Sequence, residues 1–138
     1  MMHVIIATHD TLASGLVSTA KMICGSIPKT CHCVELDEQG IEVFSEKMET
    51  LRQKIGEDSV IVLCDLRGAT PFNVAIRHFN DKNHAVIAGV NLPMVLTALS
   101  NFENEPIETF AASIVKISQE SILSNLELLV PDDDDIFA

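Results

Sequence analysis

The chain has 138 residues, 47% of them hydrophobic, which suits one domain with a sizeable core and excludes a disordered segment. Its 20 acidic residues against 9 lysines and arginines give a formal net charge of −11, which argues against nucleic acid or an anionic membrane as the main partner. No apolar run approaches the length of a membrane span, and residues 1–8 lack the basic start and cleavage site of a secretory signal, so a cytoplasmic location is expected.

The hydrophobic period switches repeatedly between strand and helix. Residues 3–8, "HVIIAT", form a short β-rich run. Leu12, Leu16, Thr19, Ala20 and Ile23 then fall on one helical face, and Gly25 stops the helix. Residues 31–36, "CHCVEL", predict a second strand. In residues 41–55, Ile41, Phe44, Met48, Leu51 and Ile55 make the stripe of an amphipathic helix. Residues 59–66, "SVIVLCDL", are apolar at nearly every position, as in a strand covered on both faces. In "GATPFNVAIRHF", Thr70 suits an N-cap and Pro71 the first helical turn.

Residues 84–90 predict the next strand, and residues 92–102 a helix with Pro93 near its start. Pro106 opens a longer helix with Ile107, Phe110, Ile114 and Ile117 as its stripe. Residues 126–130, "LELLV", predict a last short strand, after which "PDDDDIFA" is an acidic tail. The expected organisation is a single domain over residues 1–130 with a tail over 131–138. The order βαβαβαβα implies an α/β fold with a doubly wound, mostly parallel sheet and helices on both faces.

In such sheets ligands bind beyond the carboxyl ends of the strands. That rule selects "THD" (residues 8–10), "DLRGATPFN" (65–73) and "GVNLPM" (89–94). If the first and third strands are neighbours, His9 and Asp65 meet at the sheet edge. A carboxylate accepting from one imidazole nitrogen fixes the tautomer and leaves the other free to attack. Gly68 permits close backbone approach, Thr70 offers a hydroxyl, and a helix start near Pro71 favours phosphate. On the residues alone, Asp65 is equally a strand-ending cap, and "RGATPFN" by itself equally an ordinary capped helix. No "GxxxxGK[ST]" or "GxGxxG" signals a nucleotide pocket.

The four cysteines, Cys24, Cys31, Cys33 and Cys64, form no CxxC framework and are expected to be buried free thiols. On a strand, Cys31 and Cys33 face one side and His32 the other, so "CHC" does not converge on a metal. Met22, Met48 and Met94 are expected in the core. His3, His78 and His84 are expected to be ordinary surface residues.

Taken together, "IIATHDTLASGLVSTAKMICG", "VIVLCDLRGATPFNVAIR" and "VIAGVNLPM" resemble the EIIA component of the mannose family of the bacterial phosphoenolpyruvate-dependent sugar phosphotransferase system (PTS). The resemblance covers essentially the whole chain. It implies that His9 accepts a phosphoryl group from phospho-HPr on Nε2 and passes it to EIIB, with no metal and no cofactor. It implies that Asp65 hydrogen-bonds the other ring nitrogen and that Thr70 lies beside the phosphoryl group. Gly68, Ala69, Pro71, Phe72 and Asn73 match the rest of the "GG[ST]PFN" loop, and Asn91 and Pro93 match the "GVN[LI]PM" loop.

The resemblance further implies about four parallel strands with one antiparallel edge strand, and a homodimer that often exchanges that strand. The membrane components EIIC and EIID would be partners only indirectly, and because EIIA does not touch the sugar, its identity is not encoded here. Three departures stand out. Ala69 replaces a common glycine and needs a backbone that avoids φ > 0. Arg67 replaces a common tryptophan; it is read as touching the phosphoryl group or helping dock a partner, and equally as a solvated arginine. Asp10 is expected to face away and to cap the first helix. The alternatives are a regulatory phosphoprotein, such as the related subunit that feeds dihydroxyacetone kinase, and a metal-binding or hydrolytic protein using His9, Asp65 and the cysteines.

Overall fold

A computed structural model describes residues 1–100 and 105–128. The elements follow the expected alternation: β1 (Met2–His9), α1 (Leu12–Cys24), β2 (Cys31–Leu36), α2 (Ile41–Ile55), β3 (Ser59–Cys64), α3 (Thr70–His78), β4 (His84–Ala88), α4 (Leu92–Leu99) and α5 (Ile107–Glu120). The strands lie in the order β2-β1-β3-β4. All three ladders are parallel, with Ala7 opposite both Val34 and Cys64.

Alternate residues of the central strands feed two cores. Val4 and Ile6 of β1 and Ile61 and Leu63 of β3 pack with Ala13, Ala20, Val95, Phe110 and Ile114 under α1, α4 and α5. Ile5 and Ala7, with Val60, Val62 and Cys64, pack on the opposite face with Phe44, Met48, Val74 and Phe79 of the α2–α3 layer. Burial on both faces explains why β3 reads as an unbroken apolar run. Each fully buried side chain such as Phe44 contributes about 2–3 kcal/mol.

Chain order fixes where the site must lie. After β1 the chain turns to α1 on one face, whereas after the adjacent β3 it turns to α3 on the other. The two departing loops leave a crevice between the carboxyl ends of β1 and β3, the switch point of a doubly wound sheet.

Several local expectations are corrected. The buried face of α1 is Ala13 and Ala20 with Leu16 and Val17, while Leu12 and Ile23 are exposed. The contact face is therefore centred on the two alanines rather than on the larger side chains of the expected stripe. Met22 is 89% exposed, whereas Met48 and Met94 are in the core. Ile41 and Ile117 are likewise exposed ends of otherwise buried stripes. Among the cysteines only Cys64 is buried; Cys24 and Cys33 are exposed. His84 is buried rather than superficial, its ring edge-on to Phe79.

Among the described residues no antiparallel edge strand is present. Where the last strand was expected, Asn125–Leu128 wind into a 3-10 turn. The turn is closed by the Glu127 N–H donating to the Ser124 carbonyl at 2.9 Å, and side chains support it: the Glu127 carboxylate accepts from the Ser124 N–H and the Ser124 hydroxyl from the Leu126 N–H, each at 3.2 Å. Residues 129 and 130 of that expected strand, and the tail over 131–138, lie outside the described residues.

Candidate functional site

β1 ends at His9, and β3 ends one residue before Asp65. Because β1 and β3 are hydrogen-bonded neighbours, the two side chains meet. The Asp65 carboxylate accepts from the His9 backbone N–H at 2.9 Å and bonds the ring Nδ1 at 2.8 Å. Desolvation pushes the Asp65 carboxyl pKa up, but hydrogen bonds from the His9 N–H, the His9 ring and the Leu66 N–H outweigh it and hold it below the usual carboxylate range. Asp65 is therefore ionised at neutral pH and can only accept, so Nδ1 carries the proton. Nε2 makes no hydrogen bond among the described residues, and in the neutral ring it is the lone-pair nitrogen. The His9 side chain is 44% exposed and that of Asp65 12%, so a held ring faces an open edge.

Residues around His9 are occupied in ways that leave one helix start available. Thr8 is fully buried, and its hydroxyl accepts from the Ala13 N–H at 2.9 Å. The Glu35 carboxylate of β2 accepts from the Ser14 N–H at 3.0 Å and from the Ser14 hydroxyl at 2.9 Å. These two contacts cap α1, and Asp10 does not: it is exposed, with φ +49, and its N–H donates to the Leu36 carbonyl at 2.7 Å. Asp10 is exposed, and the expectation that it caps α1 fails.

At α4 the cap is Asn91. Its side-chain oxygen accepts from the Met94 N–H at 2.9 Å, and its amide nitrogen donates to the Ser118 carbonyl at 3.4 Å. Pro93 sits in the first turn of that helix. Asn91 ends the loop beyond β4, which is tied to the site strand because the Gly89 N–H donates to the Asp65 carbonyl and the Val90 N–H to the Cys64 carbonyl.

The start of α3 differs. Its N-cap is Ala69, not Thr70, no side chain caps it, and its first turn holds no acidic residue. Ala69 has φ −84, so alanine is accommodated without strain, while Gly68 has φ +77, which glycine alone adopts cheaply. Thr70, one residue inside the helix, makes no side-chain hydrogen bond among the described residues. Pro71 is buried and Phe72 half-buried, which anchors the helix start, and the Asn73 side chain donates to the Gly68 carbonyl at 2.9 Å. The arrangement offers an anion an uncapped helix N-terminus and a free hydroxyl. Arg67 is exposed at the rim.

Cys64, beside the site, is unreactive by environment: burial first, and the Asp65 charge second, push its thiol pKa up to about 12. In β2, Cys31 packs against the α1 core, whereas His32 meets His3 at 2.9 Å. Among the described residues no group of three or more His, Cys, Asp or Glu side chains is arranged to hold a metal, and no helix is long and apolar enough to cross a membrane.

Residues 3–115 match the family model described as EIIA-man, PTS system fructose IIA component. The chain belongs to this family. It is 31% identical over 122 residues to the PTS system mannose-specific EIIAB component of Escherichia coli (strain K12), covering 86% of this chain and 38% of that protein. It is 30% identical over 123 residues to the PTS system fructose-specific EIIA component of Bacillus subtilis (strain 168), covering 88% and 84% of the two. The crystal structure of the PTS IIA protein associated with the fucose utilization operon from Streptococcus pneumoniae superposes with a TM-score of 0.82 at 25% identity, over 94% of this chain and 96% of that one. The EIIA chain thus spans well under half of the two-component E. coli relative and most of the B. subtilis one.

Of the residues singled out from sequence, the structure brings His9, Asp65, Gly68, Ala69, Thr70 and Arg67 to one switch point. Asn73 acts on the loop backbone and Asn91 on α4 and α5. Thr8 and Glu35 were missed. Thr8 reads as a strand residue, and Glu35 reaches α1 only through the β1–β2 pairing.

Proposed function

We propose that this EIIA chain is a cytoplasmic phosphocarrier of a sugar phosphotransferase system, in which His9 takes a phosphoryl group from phospho-HPr and hands it to EIIB. The observation that carries the reading is the His9–Asp65 pair: a ring held by its Nδ1, with Nε2 open beside the uncapped start of α3.

The chemistry follows from that arrangement. The Nε2 lone pair attacks the phosphorus of the donor phosphohistidine. The new N–P bond forms as the donor's N–P bond breaks, and that electron pair returns to the donor imidazole. His9 keeps its Nδ1 proton and becomes an imidazolium, whose charge the Asp65 carboxylate balances. The α3 amides and the Thr70 hydroxyl stabilise the phosphoryl oxygens by position and dipole. Transfer to EIIB is the same step in reverse, so one exposed nitrogen must serve two partners in turn. No proton has to leave, and the near-equal chemistry of the two imidazoles keeps transfer reversible.

The test is incubation with phosphoenolpyruvate, enzyme I and HPr, read by intact mass. One acid-labile phosphoryl group that requires HPr and is lost in His9→Ala supports the reading. Phosphorylation that survives in His9→Ala rejects it.

A further inference from the structure

Four loops follow the four strands at the carboxyl edge of the sheet, over residues 10–11, 37–40, 65–69 and 89–91. They hold Asp10, Asp37, Glu38 and Asp65, and a single lysine or arginine, Arg67. A phosphoryl group on His9 would bring up to two more negative charges to an edge that is already acidic. The α3 dipole offers roughly half a charge in compensation.

The imidazolium of phosphorylated His9 is matched by Asp65, and Arg67 is the one cation of these loops able to add a further unit of positive charge. Leu66 to Ala69 form a turn closed by the Ala69 N–H to the Leu66 carbonyl at 3.3 Å, and Gly68 in its third position has the positive φ that a type II turn requires. Arg67 is the other corner residue. The turn is held at both ends, because the Leu66 N–H donates to the Asp65 carboxylate and the Asn73 side chain to the Gly68 carbonyl, each at 2.9 Å. The carboxylate that orients His9 therefore also anchors the turn that carries Arg67. Two residues of chain keep the Asp65 and Arg67 Cα atoms within about 7 Å, and the Asp65 carboxylate itself touches the His9 ring at 2.8 Å, so the turn starts Arg67 within an extended side chain's length of the site. Arg67 makes no hydrogen bond or ion pair among the described residues, whereas Arg52 is engaged by the carbonyls of His78 and Gly56.

We propose that Arg67 is the phosphoryl-binding cation of this chain, its guanidinium fork contacting the phosphoryl oxygens on His9 and stabilising the phosphorylated state. The inference rests on the phosphocarrier reading, and it assigns to Arg67 a contact with the transferred group rather than a place on a docking surface.

The probe is phosphoramidate, a small phosphoryl donor that needs no protein docking. The parent, Arg67→Gln, Arg67→Lys, Arg77→Gln and His9→Ala proteins are treated with it, and the phosphohistidine is titrated by 31P NMR. A cation in contact lowers the midpoint at which the phosphoryl group takes up its proton. The midpoint is expected to rise by about 0.5 pH units in Arg67→Gln, a factor of ~3 in proton affinity, and by less in Arg67→Lys. Arg77→Gln removes an equal charge from the exposed last turn of α3 and is expected to match the parent. An unchanged midpoint in Arg67→Gln, or an equal rise in Arg77→Gln, would overturn the contact while leaving the phosphocarrier reading intact. The same label appearing in His9→Ala would overturn both.

Discussion

A single oxygen of Asp65 receives both the backbone N–H and the ring Nδ1 of His9, at 2.9 and 2.8 Å. The imidazole is thereby fixed relative to the backbone of its own residue, so its rotamer and tautomer are set together. Asp65→Asn keeps an oxygen for both contacts but loses the charge that balances an imidazolium. The expected outcome is a folded protein whose phosphorylation by phospho-HPr slows by about 100-fold or more, measured by rapid quench and intact mass. A rate within threefold of the parent would remove Asp65 from the chemistry.

The same contact has a pH signature. The native Asp65 carboxyl titrates below its ordinary range, so the unfolded chain takes up a proton first as the pH falls through about 3.9. The stabilisation is complete above that value and disappears as the pH drops through the depressed native pKa. Urea unfolding of the parent and Asp65→Asn should differ by a constant amount at pH 7 and 5. The gap should narrow from pH 4 to pH 3, and a gap unchanged at pH 3 would contradict the assignment.

Much of this was legible in the sequence because the signals are local. The β-rich apolar runs and the period-3.6 stripes placed all four described strands and five helices, and the abrupt end of "IVLC" at Asp65 marked the sheet edge. His9 and Asp65 were a pair only on the assumption that β1 and β3 adjoin, which no local pattern states. What stayed hidden depends on tertiary contact. Thr8 caps a helix from inside a strand, and Glu35 reaches α1 across a ladder. The buried face of α1 centres on Ala13 and Ala20, which the stripe of larger apolar residues did not mark. The Ser124–Glu127 cap was in plain view as S-x-x-E, and the apolar "LELLV" pattern obscured it.

Thr8→Val tests the cap on α1. The substitution preserves shape but strips the acceptor from a buried N–H, that of Ala13. A lost cap with a stranded donor costs about 1–2 kcal/mol. Thermal unfolding should shift down by roughly 4–8 °C in a domain of this size. No shift would mean that water replaces the hydroxyl.

His84 offers a second pH effect, at the opposite end of β4. Its ring is buried, Nδ1 has no partner among the described residues, and Nε2 stands 3.4 Å from Asp81. Desolvation, aided by Arg52, lowers its pKa against the opposing pull of Asp81 and the Asn83 backbone. The unfolded chain therefore binds the proton first, and stability falls as the pH drops below about 6.5. His84→Leu should flatten that slope between pH 7 and 5 in denaturant titrations, without abolishing it, because the His32 pKa is also lowered by burial. An unaltered slope would show that His84 does not contribute.

Gly68 and Ala69 make unequal predictions at adjacent positions. A Cβ at Gly68 would meet nothing within 4 Å, so Gly68→Ala is penalised only by its φ of +77, about 1–2 kcal/mol. Ala69 already has φ −84, and Ala69→Gly gains no conformational relief; it adds freedom to the unfolded chain and costs about 0.4–1 kcal/mol. The two separate more clearly in activity. Relaxing the strain at Gly68 bends the turn between Asp65 and the α3 start, which would displace Thr70 and Arg67 from the places proposed for them beside a phosphoryl group on His9. Gly68→Ala should therefore slow phosphoryl transfer by about tenfold, the effect of a misplaced rather than absent group, while Ala69→Gly stays within about twofold. Equal rates for both variants in the HPr-coupled assay would show that the turn serves only to connect β3 to α3.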